Sequence, residues 1–454
     1  MLKEKVLIIG GGLAGCEAAF KLAENEVAVV LYESKKNNPN PAQKLSTLAE
    51  LVCTNSLKSV NETTGHGLLK FEMEKLGSLV LQTAYQAKVP AGDSLSVDRE
   101  VFSTNITEKI AAHKNIELIY DEVSKPDEML KKHGCQRLII ASGPLTTQAL
   151  ADWIKNNISS DDLYFYDAIA PVVDADSLNY EKLYFKDRYK DHTEGRLADY
   201  LNAPMNEDEY KRFVLELKNA QKVPARNFEE YVFFESCLPI DLMAERGEET
   251  PRFSCMKPVG LETKEGQTPY AAVQLRRENL LGDAYNLVGF QTRLTYSEQK
   301  RIFRMIPGME KAEFIHLGSV HRNTFLNAKK LLNIDLSTKK NSKIYFAGQI
   351  MGVEGYTESA AMGLYVAYQI LRDLHKQEVC PWPHESAIGA LINHIMTQEV
   401  PRPTNINFGL LPRIEVGNHK RIHRSKYKNI KKEMMAKRAR EVFSYFLNQY
   451  MIGL

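Results

Sequence analysis

Lys5-Val6-Leu7-Ile8-Ile9-Gly10-Gly11-Gly12-Leu13-Ala14-Gly15 is the stretch that decides the fold. It reads as a buried strand running into a glycine turn that opens a helix, Cys16 to Glu24. Gly10, Gly12 and Gly15 satisfy G-x-G-x-x-G, with Leu13 and Ala14 completing the turn. The first glycine allows the tight bend, the second lets backbone approach a diphosphate, and the third lets helix and strand pack closely. A diphosphate would then rest on unpaired N–H groups at the positive end of the helix. A second apolar strand, Val27 to Tyr32, ends at Glu33, an acid placed to accept from ribose hydroxyls. A chance glycine turn is the bland alternative. The strand before, the helix after and the spaced acid together favour a dinucleotide site.

The bulk numbers set wide bounds. At 454 residues, two or three domains with large cores are expected. A chain 44% hydrophobic and 26% charged is ordinary for a globular protein and excludes a disordered one. Met1 to Lys5 leads straight into the first strand, so no secretory signal is expected. The apolar runs are of strand length, so no membrane span is expected either. Six cysteines lie far apart, at 16, 53, 135, 237, 255 and 380, and no pair makes C-x-x-C. That spacing argues against a zinc ribbon or a redox dithiol, and no metal site is expected. Free thiols without a signal point to the cytoplasm.

Three segments differ in texture. Residues 1–170 read as the first part of an α/β domain, with a helical region at 68–81, a strand at Ile116–Tyr120, and another from Arg137 into a small-residue turn at Gly143. Residues 171–318 mix charged and aromatic residues, and we assign them to an inserted α+β substrate domain. The α/β pattern resumes in 319–454, where Lys343 to Phe346 leads into Ala347-Gly348-Gln349, then Gly352, Gly355, Tyr356 and a helix rich in small residues, Glu358 to Leu364. A strand, Ala-Gly, a glycine loop and a small-residue helix suit the ribityl and ring portion of FAD, and a helix N-terminus near the flavin pyrimidine edge stabilises the negative charge that develops there on reduction. Gln349 stands where an acid is usual, and its amide can still bond ribityl hydroxyls. A glycine-rich helix packed on the first is the alternative; the two glycine signals together favour FAD over NAD alone.

Several residues could carry chemistry. Cys53 lies where an apolar run turns abruptly polar, and Cys237 lies between aromatic residues and Pro239, with Arg246, Arg252 and Lys257 near in sequence. Buried structural thiols are the commoner fate, and a nucleophile needs adjacent positive charge or a base. His321, Arg322 and Asn323 supply a ring, a planar cation and an amide in succession, a set that can hold a flat heteroaromatic ligand or serve simply as surface. From Lys420 to Arg440 there are ten Lys or Arg against the single acid Glu433. A helix from Tyr427 would present Lys428, Lys431 and Lys432, with Lys420, Arg421 and Arg424 ahead of it, to phosphates or merely to water.

Taken together, the segments resemble the folate- and FAD-dependent RNA uracil-5 methyltransferases, the TrmFO family. The resemblance runs through nearly the whole chain. It rests on 10–15, Ala49 to Leu57, Leu163 to Ala168, Leu238 to Gly247, Met256 to Leu261, Tyr285 to Thr292, His321 to Phe325, Phe346 to Gly363 and Asn405 to Pro412. It implies an FAD-binding Rossmann-type fold, GidA/TrmFO-like, carrying the inserted α+β domain. It implies that FAD, reduced by NADH or NADPH, takes a methylene group from 5,10-methylenetetrahydrofolate. A thiolate adds to uracil C6, C5 attacks the methylene carbon, and proton loss and hydride reduction leave 5-methyluridine. By the same resemblance Cys237 is the nucleophile, Cys53 the second thiol near the flavin, and His321 stacks the pterin, flanked by Arg322 and Asn323. The chain departs from the family at Ser236, usually glycine, and at Ser254-Cys255, usually Gly-Pro, while its basic C-terminal region is heavier than usual; these differences would fit a changed RNA substrate. The expected target is the T-loop uridine of tRNA, with a uridine of 23S rRNA as the alternative. An FAD oxidoreductase on a small molecule and a non-catalytic RNA-binding flavoprotein are the other classes. Nothing in the residues addresses oligomeric state, and a monomer is the default.

Overall fold

The parallel strands read as near-continuous apolar runs because both faces of their sheet are covered. In the computed structural model, which describes residues 4–39, 43–158, 164–168, 170–188, 198–223, 238–278, 282–318, 320–398, 403–414 and 424–450, Val6, Leu7 and Ile8 have no exposed surface. The chain begins β1 (Lys5–Ile9), α1 (Leu13–Glu24), β2 (Ala28–Glu33), β3 (Ser56–Ser59), α2 (Gly65–Lys75), α3 (Leu79–Gln86), β4 (Lys88–Val89), β5 (Ser94–Val97) and α4 (Arg99–Ala112). There follow β6 (Ile116–Tyr120), α5 (Pro126–His133), β7 (Arg137–Ile140), α6 (Gln148–Asn157), β8 (Tyr164–Ala168), β9 (Val172–Asp174), β10 (Tyr184–Phe185), β11 (Tyr200–Met205) and α7 (Glu207–Asn219). Next are α8 (Ile240–Arg246), α9 (Thr250–Phe253), β12 (Ala271–Arg277), β13 (Ala284–Leu287), α10 (Tyr296–Phe303), β14 (Phe314–His316), β15 (Val320–Thr324) and α11 (Ala328–Leu331). The chain closes with β16 (Ile344–Phe346), α12 (Tyr356–Leu374), α13 (Ala387–Thr397) and α14 (Arg424–Tyr450).

One sheet is parallel, in the order β16-β7-β1-β2-β6. Its order reverses at β1, and the crevice outside the carboxyl ends of β1 and β7 is where such sheets bind ligands. A second, antiparallel sheet has the order β10-β11-β12-β13-β9-β14 and its own apolar core, with Phe213, Phe290 and Phe303 fully buried. Between these two parts the chain passes through β8 and returns through β15, which pair antiparallel with His321 opposite Asp167. A small sheet, β3-β5-β4, flanks α2 to α4.

Local chemistry explains most boundaries. Asp98 accepts from the N–H groups of Glu100 and Val101 and so starts α4; Asn206 and Glu209 form a reciprocal capping box on α7. The helical region at 68–81 divides into α2 and α3 at Gly77, whose φ of 73° favours glycine. Two buried glutamates cap helices elsewhere in the chain: Glu17 accepts from the N–H groups of Leu79 and Val80, and Glu72 from those of Ala387 and Ile388. Trp382, with Tyr365, Phe443 and Phe446 around it at 5.1 to 5.9 Å, fastens α14 to the rest.

Candidate functional site

At the switch point lies a cavity of about 610 Å³, walled by Gly10, Gly12, Leu13, Ala14 and Glu33 from the first glycine turn and by Gly348, Gln349 and Tyr356 from the second. Two signals more than three hundred residues apart in sequence therefore line one space. Each glycine has a separate reason. Gly10 has φ 107°, and a Cβ there would stand 2.4 Å from the Ala141 carbonyl oxygen. A Cβ on Gly15 would stand 1.8 Å from the Gly10 carbonyl oxygen, so Gly15 lets α1 pack on the turn without lining the cavity. Gly12 differs: a Cβ there meets nothing within 4 Å. It caps α1 with no side-chain bond, so open space lies over helix N–H groups, the cradle a diphosphate requires.

Glu33 ends β2 and points back into the turn. One carboxylate oxygen accepts from Gly11 N–H at 2.8 Å, the other from Lys35 N–H at 2.9 Å. Two lone-pair sites remain for ribose hydroxyls. Opposite, the segment Ala141 to Leu150 closes the cavity; the strand ending in this small-residue turn reads from sequence as bringing the chain back beside the nucleotide, with any core strand as the alternative. Gly348, with φ 84°, would place a Cβ 2.8 Å from that of Ala14, and Gly363 would place one 2.2 Å from the Ala14 carbonyl oxygen, so the small residues bring α12 against α1. These features fit FAD: two uncapped helix ends, an acid for ribose and an amide for ribityl hydroxyls. Gly352 and Gly355, at φ 92° and 110°, shape the loop behind Tyr356 and do not line the cavity. Asn405 donates to the Glu354 carbonyl at 2.8 Å, and Ile406 N–H donates to Glu358 at 3.1 Å, which sets the Asn405–Pro412 segment against that loop.

Tyr356 joins the second glycine loop to Cys53. Its hydroxyl accepts from Cys53 N–H at 2.8 Å and from Thr54 N–H at 3.2 Å, and it lies 3.3 Å from the Cys53 sulfur as a donor. Burial, then the neighbouring Cys53, hold the phenol protonated well above its usual range. Beneath this loop Arg99 donates to the Leu51 carbonyl at 2.9 Å and pairs with Glu278, while buried Arg276 bonds the Thr54 hydroxyl. Neither arginine was singled out from the sequence. Their partners lie some 180 to 220 positions away, and no local pattern marks such a pair.

A second cavity, about 830 Å³, adjoins the first and shares Glu50 and Val52 with it. Its far wall is the edge of the antiparallel sheet around Val172, Asp174 and His316. His321, Arg322 and Asn323 lie on β15, and Phe325, just beyond, is buried beside Gly352. The ribbon thus ends at the second glycine loop. Cys237 lies outside the described residues. The chain after it is firmly tied: Ile240 N–H donates to the Gln291 carbonyl, and fully buried Asp241 accepts from Thr292 and Arg293. Cys255 packs against Gly289 in the second core, where burial pushes its thiol up to about 12. Lys420 and Arg421 also lie outside the described residues. Arg424 and Lys428 stand on the first turns of α14, followed by half-buried Lys431 and exposed Lys432. The helix starts three residues before the expected Tyr427. Among the described residues no helix is long and apolar enough to cross a membrane.

The glucose inhibited division protein A family model matches residues 5–378. The chain is 48% identical over 451 residues, 99% of itself and 97% of the relative, to methylenetetrahydrofolate--tRNA-(uracil-5-)-methyltransferase TrmFO of Aquifex aeolicus. The protein of the same name from Geobacter sulfurreducens is 51% identical over 413 residues, 90% of this chain and 93% of the relative. The chain belongs to the TrmFO family. Among solved structures, Aquifex aeolicus GidA in its form II crystal superposes with a TM-score of 0.67 at 15% identity, covering 97% of this chain and 73% of that one. That likeness bears on fold alone, and it agrees with a TrmFO member built on an FAD-binding Rossmann-type sheet.

Proposed function

We propose that this TrmFO member is an FAD-dependent methyltransferase that makes 5-methyluridine in tRNA with 5,10-methylenetetrahydrofolate as carbon donor and NADH or NADPH as reductant. The observation that carries the reading is near full-length identity of 45 to 51% to relatives named for that reaction. The two glycine turns on one cavity support the flavin. When bound, FAD supplies the electron pair that turns the transferred methylene into a methyl group. The protein supplies position and proton control. Gly12 and the start of α1 take the diphosphate, Glu33 a ribose and Gln349 the ribityl chain. Cys237 is the nucleophile: its thiolate adds to uracil C6 and makes C5 nucleophilic, and it leaves after C5 has bonded the donor carbon and lost its proton. Cys53, bonded to the Tyr356 hydroxyl, is the second thiol and holds or relays a proton beside the flavin. His321, Arg322 and Asn323 hold the pterin, and the basic residues from Lys420 to Lys432 meet RNA phosphates. We place the enzyme in the cytoplasm as a monomer.

Purified protein given NADH, labelled methylenetetrahydrofolate and, in parallel, unmodified tRNA and 23S rRNA tests this directly. Label in the T-loop uridine is expected. Label only in 23S rRNA would keep the chemistry and move the target; label in neither, with the flavin still reducible, would favour the small-molecule reading. Cys237→Ala is expected to abolish labelling while retaining flavin, and full activity in that variant would sink the assignment of the nucleophile.

A further inference from the structure

The second cavity gathers nitrogen donors from three separate segments. Lys44 comes from the loop after β2, Arg99 from the start of α4 and His316 from β14 on the other sheet. Lys44 and His316 touch, ammonium to Nδ1. An imidazole that accepts at Nδ1 is neutral and carries its proton on Nε2, so all three groups present donors and none an acceptor. Their crowding is unfavourable in itself: burial, then Lys44 and Arg99, push His316 down to about 4, and burial followed by Arg99 lowers Lys44. Acids of the same wall offset part of this, Glu50 acting on Lys44 and Glu278 on Arg99. Glu50 is held by Lys35 and the Lys44 N–H; Asp98 and Asp174 accept from backbone N–H groups as caps; Glu278 faces both Arg99 and Arg276. Glu100, Asp176 and Asp283 are exposed at the rim.

We propose that Lys44, Arg99 and His316 form a carboxylate subsite for the glutamyl tail of the folate donor. This rests on the folate-dependent reading above. The shape argues for it: the cavity opens from the flavin-bearing one at Val52, beside Cys53 and Tyr356, so a donor with a flat ring at one end and carboxylates at the other spans both spaces. A carboxylate there would bridge the two sheets, accepting from the Lys44, Arg99 and His316 donors. The phosphate of a pyridine nucleotide is the other small anion this donor set can take.

The experiment titrates the flavin-loaded protein calorimetrically with tetrahydrofolate and with tetrahydropteroate, which lacks the glutamyl group. Two charge-assisted bonds predict that wild-type protein prefers tetrahydrofolate by roughly tenfold or more. Lys44→Gln is expected to erase that preference by weakening tetrahydrofolate alone, Lys44→Arg to keep most of it, and NADH and NADPH to bind both variants as they bind wild type. Equal affinity for the two folates in wild type would overturn the subsite and leave the methyltransferase reading standing. A loss in Lys44→Gln confined to NADPH would overturn it in favour of the nucleotide phosphate. Failure of wild type to bind either folate would overturn the function reading and the subsite together.

Discussion

The two cavities that meet at Glu50 and Val52 are built from different material. The first is made of backbone: glycines at 10, 12 and 348, helix ends without caps, and carbonyls close enough to forbid a Cβ. The second is made of long polar side chains, Lys44, Arg99 and His316, brought together from a loop, a helix start and a strand of the antiparallel sheet. A backbone-built site needs particular residue types at fixed spacing, so it is written contiguously. A site built from side chains needs only that three residues arrive at one place, and many sequences satisfy that.

Substitutions that separate packing from binding test this contrast most sharply. Gly15→Ala puts a Cβ 1.8 Å from a backbone oxygen and is expected to destabilise the fold by about 3 kcal/mol or more, read as a fall in thermal midpoint with loss of bound flavin. Gly12→Ala meets open space and should melt as wild type while holding flavin about tenfold less well, because the methyl occupies room the diphosphate needs. If both variants melt alike, the distinction between the two glycines fails. A smaller effect belongs to Tyr356→Phe, which leaves the Cys53 and Thr54 N–H groups without their acceptor at a cost of about 1–3 kcal/mol, measured by denaturant unfolding. An unchanged midpoint would mean the loop before β3 does not depend on the phenol.

The smallest effect is in the second cavity. His316 is expected to stay neutral in the folded protein until about pH 4, below the ordinary imidazole value of 6.5. The unfolded chain takes up that proton at higher pH than the folded one, so the contribution of His316 to stability is present above about pH 6.5 and is lost as pH falls toward 4. NMR titration of the ring would read this, and Lys44→Met should raise the midpoint by removing a neighbouring charge. A ring titrating near 6.5 in wild type would mean the cationic cluster is not assembled in solution.

The parallel sheet was legible because its inner strands β1, β2 and β7 are largely apolar runs, each followed by glycine or a small residue. Gly10 to Gly15 with Glu33, and Gly348 to Tyr356, are short-range patterns, and Gly10, Gly12, Glu33, Gly348, Gln349 and Tyr356 from them line one cavity. The antiparallel sheet was not legible strand by strand. Tyr184–Phe185 and Val172–Asp174 are too short to show an alternation, and the register of Val172–Asp174 comes from partners more than a hundred positions away. Arg99, Arg276 and Glu278 were missed for the same reason: an ion pair between distant segments leaves no local mark.

The contact between Ala14 and Gly363 has a consequence for how the protein is made. The two halves of the cofactor cradle lie more than three hundred residues apart, so the first leaves the ribosome well before the second. Until Ile344–Phe346 emerges to pair with Arg137–Ile140, that strand is an open sheet edge, a template for wrong pairing. Flavin capture must therefore be a late event in synthesis, and a nascent chain stalled before residue 344 carries a half-built cleft and an unguarded edge.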